Sequence, residues 1–195
     1  MNPSAGSARP EIGRAFVAVR PPAAVLAAVG DAVAAGRAVA PGLRWVPEDQ
    51  WHLTLQFLGP VARLAPVVEA LRPAVGQREP FSVRLGGAGA FPTAGRARVV
   101  WVGAAEGDEA VAGLAGVVSA ALGPLGHEVE ARPFRGHLTL ARLKVPAPVG
   151  PVLDALGPGP VGAAFTVDEV VLYESRLSPG GPRYSALERF SLRNA

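Results

Sequence analysis

Cysteine is absent from the 195 residues of this chain. Without it there are no disulfides and no thiolate metal sites, which fits a reducing compartment, and we expect a cytoplasmic protein. Long apolar runs are also missing. The most apolar stretch, residues 23–40, is interrupted by Gly30-Asp31 and by Gly36-Arg37, so it predicts a buried helix and no membrane span.

Lysine is nearly absent, and arginine carries almost all of the positive charge. Eighteen arginines accompany the one lysine, Lys144, and the net charge is +3. This excess is compatible with anionic partners, and the guanidinium group matches phosphate oxygens with paired donors. Genomic composition explains a preference for arginine equally well. Charge alone therefore does not establish a phosphate ligand.

Histidine and threonine are scarce, with three and four copies, yet one tetrapeptide that uses both occurs twice. The sequence His52-Leu53-Thr54-Leu55 returns as residues 137–140, 85 residues later. In an extended strand, side chains i and i+2 project from the same face, about 6.6 Å apart along the chain. Each copy therefore predicts a strand with histidine and threonine on one face and leucine in the core. Two such strands facing each other would present two imidazoles and two hydroxyls to one small ligand.

The segments around the two tetrapeptides follow the same order. Apolar periodicity predicts strand, helix, motif strand, helix and strand in each half of the chain. The 85-residue offset also carries Phe16 to Trp101 and Phe81 to Thr166. Pro73 is expected to kink or shorten the second helix. The predicted strands cover residues 14–20, 43–46, 51–58, 81–85, 96–102, 136–143, 165–173 and 183–192, the predicted helices 23–39, 64–77, 108–122 and 151–156, and the predicted loops 86–94, 146–151 and 157–162.

We predict two pseudo-twofold repeats, about residues 14–85 and 96–173, within one bilobal domain over residues 14–195. Residues 1–13 precede it as a flexible tail, because this segment is rich in small residues and proline and lacks an apolar core. The predicted fold class is α+β, in which two antiparallel sheets with outer helices face a central groove. Such a groove would set the two motif strands face to face.

Two histidines flanking one centre suit general acid–base catalysis, because imidazole titrates near neutral pH. One imidazole can remove a proton from water while the other protonates the leaving oxygen. The threonine hydroxyls can donate hydrogen bonds to nonbridging phosphate oxygens. This set of groups fits displacement at phosphorus by water. A metal site is disfavoured, because two histidines without clustered aspartate, glutamate or cysteine make a poor set of ligands.

Five segments of the sequence resemble those of a known family. They are residues 14–19 (RAFVAV), 51–59 (WHLTLQFLG), 98–101 (RVVW), 137–142 (HLTLAR) and 172–175 (LYES). Together they are similar to the two-histidine (HxTx) phosphoesterase superfamily and, within it, to the RNA 2′,3′-cyclic phosphodiesterases of LigT/ThpR type. The similarity extends over nearly the whole chain.

The resemblance implies a bilobal α+β fold and hydrolysis of RNA or nucleotide 2′,3′-cyclic phosphate ends to 2′-phosphomonoesters, without a metal or other cofactor. It implies that His52 and His137 are the catalytic pair and that Thr54, Thr139 and Arg142 bind phosphate. Strict alternation places Arg142 on the face of its strand opposite to His137, so a twist or bulge must redirect it.

One position departs from the family pattern. The family usually has proline before the second histidine, whereas this chain has Gly136. Glycine loosens the backbone that enters the motif, which bears on how firmly the second histidine is held.

Other functions remain open from the residues alone. A related enzyme could act on 2′–5′ linkages, as a ligase or phosphodiesterase, or on the cyclic phosphate of a small nucleotide. A non-catalytic RNA-end binding protein could have kept the groove, although binding alone would not require both histidines. The expected partners are RNA ends or nucleotides bearing a 2′,3′-cyclic phosphate, with no membrane, and we expect a monomer.

Several further side chains are secondary candidates. His127 has no matching partner and is predicted to be an exposed loop residue. Arg135 and Arg98 are alternative phosphate contacts. Aromatic residues of strands usually belong to the core, but three of them could stack on a base: Trp51, Phe57 and Tyr184.

Overall fold

The computed structural model describes residues 12–127, 133–179 and 181–193. Within them it contains nine strands and four α-helices. In chain order these are β1 (Ile12–Val19), α1 (Ala23–Val39), β2 (Arg44–Trp45), β3 (Leu53–Val61), α2 (Leu64–Gly76), β4 (Phe81–Phe91), β5 (Ala97–Glu106), α3 (Asp108–Leu122), β6 (His137–Ala147), α4 (Gly150–Leu156), β7 (Pro160–Val167), β8 (Glu169–Ser178) and β9 (Gly181–Ser191).

The nine strands form one antiparallel sheet that is nearly divided in two. Its order is β7-β4-β5-β6-β3-β1-β8-β9, and β2 pairs with β6. Strands β3 and β6 join through a single residue pair, Leu53 and Leu138, whereas the pairings on either side extend over several residues. We call the two parts half-sheets: β7-β4-β5-β6 and β3-β1-β8-β9. The predicted α+β class with two antiparallel sheets is confirmed, and the sheets are joined at that one pair.

The helices cover the face of the sheet that carries the motif leucines. Helices α1 and α4 pack together and α1 contacts β7, while α2 and α3 pack together and contact β9 and β3. The buried helix residues and all four motif leucines belong to one core cluster. A smaller cluster without helix residues lies on the other face and contains Phe16, Ala18, Val171 and Tyr173. We call this second face of the sheet the motif face, because the motif histidines project from it.

Helix α1 illustrates how the sequence produces these layers. Pro22 is its N-cap, in an extended conformation, and the carbonyl oxygen of Pro22 accepts the first hydrogen bonds of the helix, from the N–H groups of Val25 and Leu26. Its residues Val25, Leu26, Val29 and Val33 recur at helical spacing and are at most 3 % exposed. This apolar stripe is what holds the helix against the sheet.

The chain exchanges strands between the half-sheets. Strand β4, from the first predicted repeat, pairs with β5 and β7. Strand β8, from the second predicted repeat, pairs with β1. Each half-sheet therefore needs strands from both repeats, and we propose that the domain folds as a single unit. Strand β1 begins at Ile12, inside the predicted tail, and residues 1–11 of that tail lie outside the described residues.

The exchange also explains one wrong prediction. Residues 165–173 were predicted as one strand, but they are divided at Asp168 between the end of β7 and the start of β8. The chain leaves one half-sheet and enters the other at this residue. Local periodicity cannot detect such a change of partner, because both segments have the alternation of a strand.

Other expectations about element boundaries were also wrong: β7 begins at Pro160, inside a segment predicted as a loop, and Pro73 does not shorten the predicted helix 64–77. Residues 86–91 belong to β4 rather than to a loop, since the glycines make room for Trp101: a Cβ on Gly89 would overlap the indole. Strand β6 continues through Pro146, into the segment predicted as a loop. Helix α2 continues through Pro73 to Gly76. Its apolar residues on both sides of the proline are buried, so packing outweighs the lost hydrogen bond.

One helical stretch, residues 108–125, is long and apolar enough to cross a membrane by length and composition alone. It consists of α3 and the short turn that follows. Its apolar side is nonetheless part of the protein core, where Val111, Leu114, Val118 and Leu122 are buried. Helix α3 also packs against α2 and β3. We therefore interpret it as a core helix of the folded domain.

Candidate active site

The four polar motif side chains lie on the motif face where the half-sheets meet. The leucine pair that joins the half-sheets sets the register of β3 against β6. An antiparallel register through that pair places His52 across from Thr139 and Thr54 across from His137. Directly opposite residues have Cβ atoms about 4.5–5.5 Å apart, and diagonal neighbours about 7–8 Å. By this register the two histidines are diagonal neighbours, and the charge of His137 contributes to lowering the pKa of His52, so the two rings lie near each other.

Each imidazole is held by its own backbone. Nδ1–H of His52 donates to the carbonyl oxygen of Gln50 at 2.7 Å, and Nδ1–H of His137 donates to that of Arg135 at 2.9 Å. A carbonyl oxygen only accepts, so the proton of each neutral ring lies on Nδ1. Both Nε2 atoms are therefore left to accept a proton, or to donate one once the ring is charged. The same bond, to the residue two positions earlier, occurs in both copies of the motif.

Aromatic side chains fix the orientation of the His52 ring. Phe16 stacks on it with ring centroids 4.7 Å apart, and Tyr184 meets it edge-on at 5.2 Å. Tyr173 stacks on the far side of this group, 5.2 Å from Phe16. These rings also keep water away from His52, so its charged form is poorly solvated.

The His137 ring has fewer aromatic neighbours. Phe91 meets it edge-on at 5.0 Å, and Trp101 is tilted against it at 6.1 Å. The guanidinium of Arg135 lies over the Trp101 ring, 5.5 Å from its centroid. The sequence analysis did not identify Phe16 or Phe91 as neighbours of the histidines. The contact of Phe16 with His52 could have been inferred from the sequence. Phe16 lies 85 residues before Trp101, which contacts His137, and His52 lies 85 residues before His137.

Burial lowers the pKa of both histidines. The pKa of His52 falls from 6.5 to about 4, chiefly by desolvation and further by the charges of Arg20, Arg142 and His137, while its backbone hydrogen bond opposes the shift. Desolvation is also the main cause that lowers the pKa of His137, with the charges of Arg142 and Arg135 adding to it. Both rings are therefore mostly neutral at neutral pH in the free protein. Because Arg142 acts on both, its guanidinium lies near both rings.

Arg142 reaches the motif face through a bulge in β6. Val100 of β5 pairs with Ala141, but Trp101 pairs with Thr139, so β6 contains one extra residue between the two pairs. An extra residue reverses the alternation that follows it. The bulge that the sequence analysis required for Arg142 is therefore present.

A matching bulge occurs in β3. The pairing of β1 with β3 shifts register between Val17 and Ala18, so one extra residue again follows the motif threonine. Phe57 is consequently on the motif face, 6.1 Å from Phe16 by ring centroids, and is 69 % exposed. It occupies the same place in the first motif as Arg142 in the second, five residues after the histidine.

The structure separates the three aromatic candidates for base stacking. Trp51 is 2 % exposed and belongs to the core, as expected for most aromatic residues of strands, so it is not available to stack on a base. Tyr184 is half-buried beside His52. Phe57 is the one of the three with a largely exposed ring on the motif face.

The remaining candidates have partners of their own. Arg98 donates to the carbonyl oxygen of Lys144 at 3.1 Å. His127 is half-buried, with Nδ1 3.3 Å from the carbonyl oxygen of Leu58, so it lies in a loop as predicted but is less exposed than predicted. Across the described ranges, no three histidine, aspartate, glutamate or cysteine side chains lie close enough together to hold a metal ion.

Gly136, before the second motif, is buried against α3. A Cβ at this position would lie 3.1 Å from Cγ1 of Val111 and 3.4 Å from Oδ1 of Asp108. Its backbone is outside the left-handed region that favours glycine. The close approach of α3 therefore explains this glycine better than a need for backbone freedom.

Comparisons with known proteins agree with this site. Residues 21–178 match the model of the 2′-5′ RNA ligase superfamily. An RNA 2′,3′-cyclic phosphodiesterase of Thermus thermophilus is 41 % identical over 191 residues, which cover 92 % of this chain and 90 % of the relative. A crystal structure of a Thermus thermophilus protein has a TM-score of 0.78 at 36 % identity, covering 92 % of this chain and 98 % of the other.

Escherichia coli LigT in complex with 3′-AMP is also similar, with a TM-score of 0.70 at 30 % identity, covering 94 % of this chain and all of LigT. These matches confirm the resemblance seen in the HxTx motifs and their flanking segments. They extend over both half-sheets and both motif strands. The chain therefore belongs to the 2′-5′ RNA ligase superfamily.

Proposed function

We propose that the protein hydrolyses the 2′,3′-cyclic phosphate ends of RNA or nucleotides to 2′-phosphomonoesters, by a metal-independent two-histidine mechanism. One observation carries the proposal. Two imidazoles on neighbouring strands have the same tautomer, fixed by the same backbone bond, and leave both Nε2 atoms free. A general base and a general acid for one phosphorus atom need this pair of groups.

In this mechanism His52 is the base and His137 the acid. The large pKa depression of His52 keeps it neutral at working pH, so its Nε2 can take a proton from water. The water oxygen attacks phosphorus as the P–O3′ bond breaks, and protonated His137 gives its proton to O3′. The product is a 2′-phosphomonoester and a free 3′-hydroxyl, and no covalent intermediate forms.

The other motif-face groups stabilise the phosphorane-like transition state. Thr54 and Thr139 are half-buried across from the histidines, in positions to donate hydrogen bonds to nonbridging oxygens. Arg142 adds a positive charge and paired donors that match phosphate. A bound phosphate would also raise the pKa of His137 and so favour its protonated form.

Similar proteins support the substrate class. The Thermus thermophilus relative is named RNA 2′,3′-cyclic phosphodiesterase, and LigT is seen with 3′-AMP, a ribonucleotide phosphomonoester. We propose RNA ends or nucleotides with a 2′,3′-cyclic phosphate as the substrates of this chain. A monomeric, cytoplasmic enzyme stays our prediction from the sequence.

A second activity is favoured by the description of the family as 2′-5′ RNA ligases. In this reaction the 5′-hydroxyl of a second RNA takes the place of water and attacks the same phosphorus. The same base and acid would serve it. Incubation of a cyclic phosphate end with a high concentration of a 5′-hydroxyl end, followed by mapping of the new linkage, would show a 2′–5′ bond if this activity exists.

The proposal is tested with a nucleoside 2′,3′-cyclic phosphate and purified protein, with and without a chelator. We expect turnover to the 2′-phosphate that is unchanged by the chelator. Loss of activity with chelator, restored by a divalent cation, would overturn the metal-independent mechanism. Binding of the nucleotide without turnover would instead favour a non-catalytic RNA-end binding protein.

A further inference from the structure

Two arginines lie side by side on the motif face without a carboxylate partner. Arg44 of β2 and Arg142 of β6 are directly opposite residues in their strand pair. Directly opposite residues share one face of a sheet, and like charges in that arrangement are destabilising. Because Arg142 is on the motif face, Arg44 is there as well. Both side chains belong to exposed residues.

What makes this couple distinctive is that, among the described residues, two arginines without a carboxylate partner lie directly opposite each other, whereas in the other opposite couple, Arg176 and Arg183, Arg176 is paired with Glu174. Carboxylate oxygens lie within 4.0 Å of five arginine guanidiniums elsewhere in the fold. These arginines are Arg72, Arg84, Arg176, Arg189 and Arg193. Within the described parts of the chain, neither Arg44 nor Arg142 has such a partner. Two adjacent unpaired cations form a binding position for an anion that the protein itself does not supply.

The Arg44 side chain extends across the motif face toward the other half-sheet. A Cβ placed on Gly181, at the start of β9, would lie 3.7 Å from Nη2 of Arg44 and 3.9 Å from Nε2 of Gln50. The charge of Arg142 acts on Tyr184, also of β9, and on both motif histidines. Arg142 therefore lies near both histidines, and Arg44, directly opposite it in the strand pair, adds a second positive charge to the same surface.

We propose that Arg44, together with Arg142, binds a second phosphate, the internucleotide phosphodiester on the 5′ side of the terminal cyclic phosphate. This inference rests on the proposed function. A cyclic phosphate closes the 3′ end of an RNA strand, so every other phosphate of that strand lies on its 5′ side. Arg142 holds the terminal group and Arg44 the next one. The site thus favours RNA ends over mononucleotides.

The test measures binding as well as turnover, so that it remains decisive if hydrolysis fails. The ligands are a nucleoside 2′-phosphate, a ribodinucleotide ending in a 2′-phosphate, and the same dinucleotide with a neutral methylphosphonate linkage. A nucleoside 5′,2′-bisphosphate is a further ligand, and its binding shows whether the site recognises a free 5′-phosphate rather than a phosphodiester of the strand. The corresponding cyclic phosphates serve as substrates for KM and kcat.

We expect the wild-type protein to bind the charged dinucleotide about tenfold more tightly than the mononucleotide, the size of one charge-assisted hydrogen bond. Arg44→Gln should abolish this preference, as should the methylphosphonate linkage, while mononucleotide binding stays unchanged. Arg44→Lys should keep part of it. The Arg44→Gln variant should also reduce the slope of log K against log salt by about 0.7 for the dinucleotide.

Arg63→Gln is the matched control, because it removes the same charge from an exposed residue beyond the far end of β3, about 30 Å along the strand from the motif. It should leave the preference intact. Equal loss of mononucleotide and dinucleotide binding in Arg44→Gln would overturn the proposal, as would no loss of either. A preference for the bisphosphate alone would also overturn it. Absence of turnover by the wild-type protein, with these binding differences intact, would contradict only the proposed hydrolysis.

Discussion

The two halves of the site share their backbone geometry and differ in what surrounds it. Both histidines donate through Nδ1 to the carbonyl oxygen two residues earlier, and both strands contain a bulge after the motif threonine. The bulge places Phe57 on the motif face in one half and Arg142 in the other. In the proposed mechanism the shared parts supply the acid–base pair, and the parts that differ provide an aromatic ring on one side of the site and a positive charge on the other.

The surroundings of the two rings also differ in solvation. His52 lies against Phe16 and Tyr184 and has a pKa of about 4. His137 is more exposed and has the guanidinium of Arg135 nearby, and desolvation is also the main cause that lowers its pKa. Two similar groups in different environments titrate differently, which lets one act as base while the other acts as acid. In the proposed mechanism, unequal burial is the reason that His52 is assigned as the base and His137 as the acid.

The largest effects are expected from the histidines. His52→Ala and His137→Ala should each lower kcat by about 10²–10⁴, because each removes one proton transfer. The double variant should be only modestly worse than the single ones, since the two groups act as a unit. Steady-state kinetics with a cyclic mononucleotide measures this. Fully multiplicative losses would show that the halves act independently.

Substitution of the residue five positions after each histidine is expected to have different effects in the two halves of the site. Arg142→Gln should lower kcat/KM by about 10²-fold, because it removes charge and donors at the transition state. Phe57→Leu, the matched change in the other half, should alter kcat/KM by less than about threefold for a mononucleotide. Equal losses in the two variants would contradict the assignment of phosphate binding to one half.

The unequal burial of the histidines predicts the pH dependence of kcat/KM. The value should rise through about pH 4, as His52 loses its proton, and fall as His137 loses its proton below pH 6.5. Beyond each limb the change should approach about tenfold per pH unit. Initial rates in overlapping buffers test this profile. A flat profile between about pH 5 and 8 would argue against the assignment of His52 and His137 as an acid–base pair.

The threonines are expected to contribute equally in the two halves. Thr54→Val and Thr139→Val each remove one hydroxyl donor while keeping the shape and the strand preference of the side chain. Each should lower kcat/KM by about three- to tenfold, the equivalent of one hydrogen bond. A loss in one variant only would show that phosphate is bound asymmetrically.

A further prediction concerns stability in acid. The folded-state pKa of His52 is depressed below its unfolded value of 6.5, so the unfolded chain takes up the proton first as the pH falls. The free energy of unfolding should therefore be unaffected above pH 6.5 and decrease between pH 6.5 and 4, by up to about 3 kcal/mol. Urea unfolding should show a weaker decrease in His52→Gln than in His137→Gln. The opposite order would contradict the stronger burial of His52.

The sequence predicted those parts of the fold that depend on local periodicity. The alternation of His52, Leu53 and Thr54 is a property of any strand, so the face of each motif residue could be assigned from spacing. The repeated tetrapeptide located the second motif, and its offset of 85 residues brought the flanking strands into register. Helix α3 was predicted with its observed bounds, because its apolar pattern is uninterrupted.

The remaining features depend on pairing between distant strands. The bulge that redirects Arg142 is set by how β6 pairs with β5, and the sequence indicated only that one was needed. The division of residues 165–173 follows from the exchange of strands between half-sheets. The neighbours of the rings, such as Phe91, come from another strand and have no local signature.

The central claim is that both imidazoles act on one phosphorus atom, and a crystal structure with a nucleoside 2′-phosphate bound tests it most directly. The account predicts that Nε2 of His52 and Nε2 of His137 each lie within about 3.2 Å of an oxygen on that phosphorus. A phosphate that contacts one imidazole while the other ring stays out of reach would contradict the account.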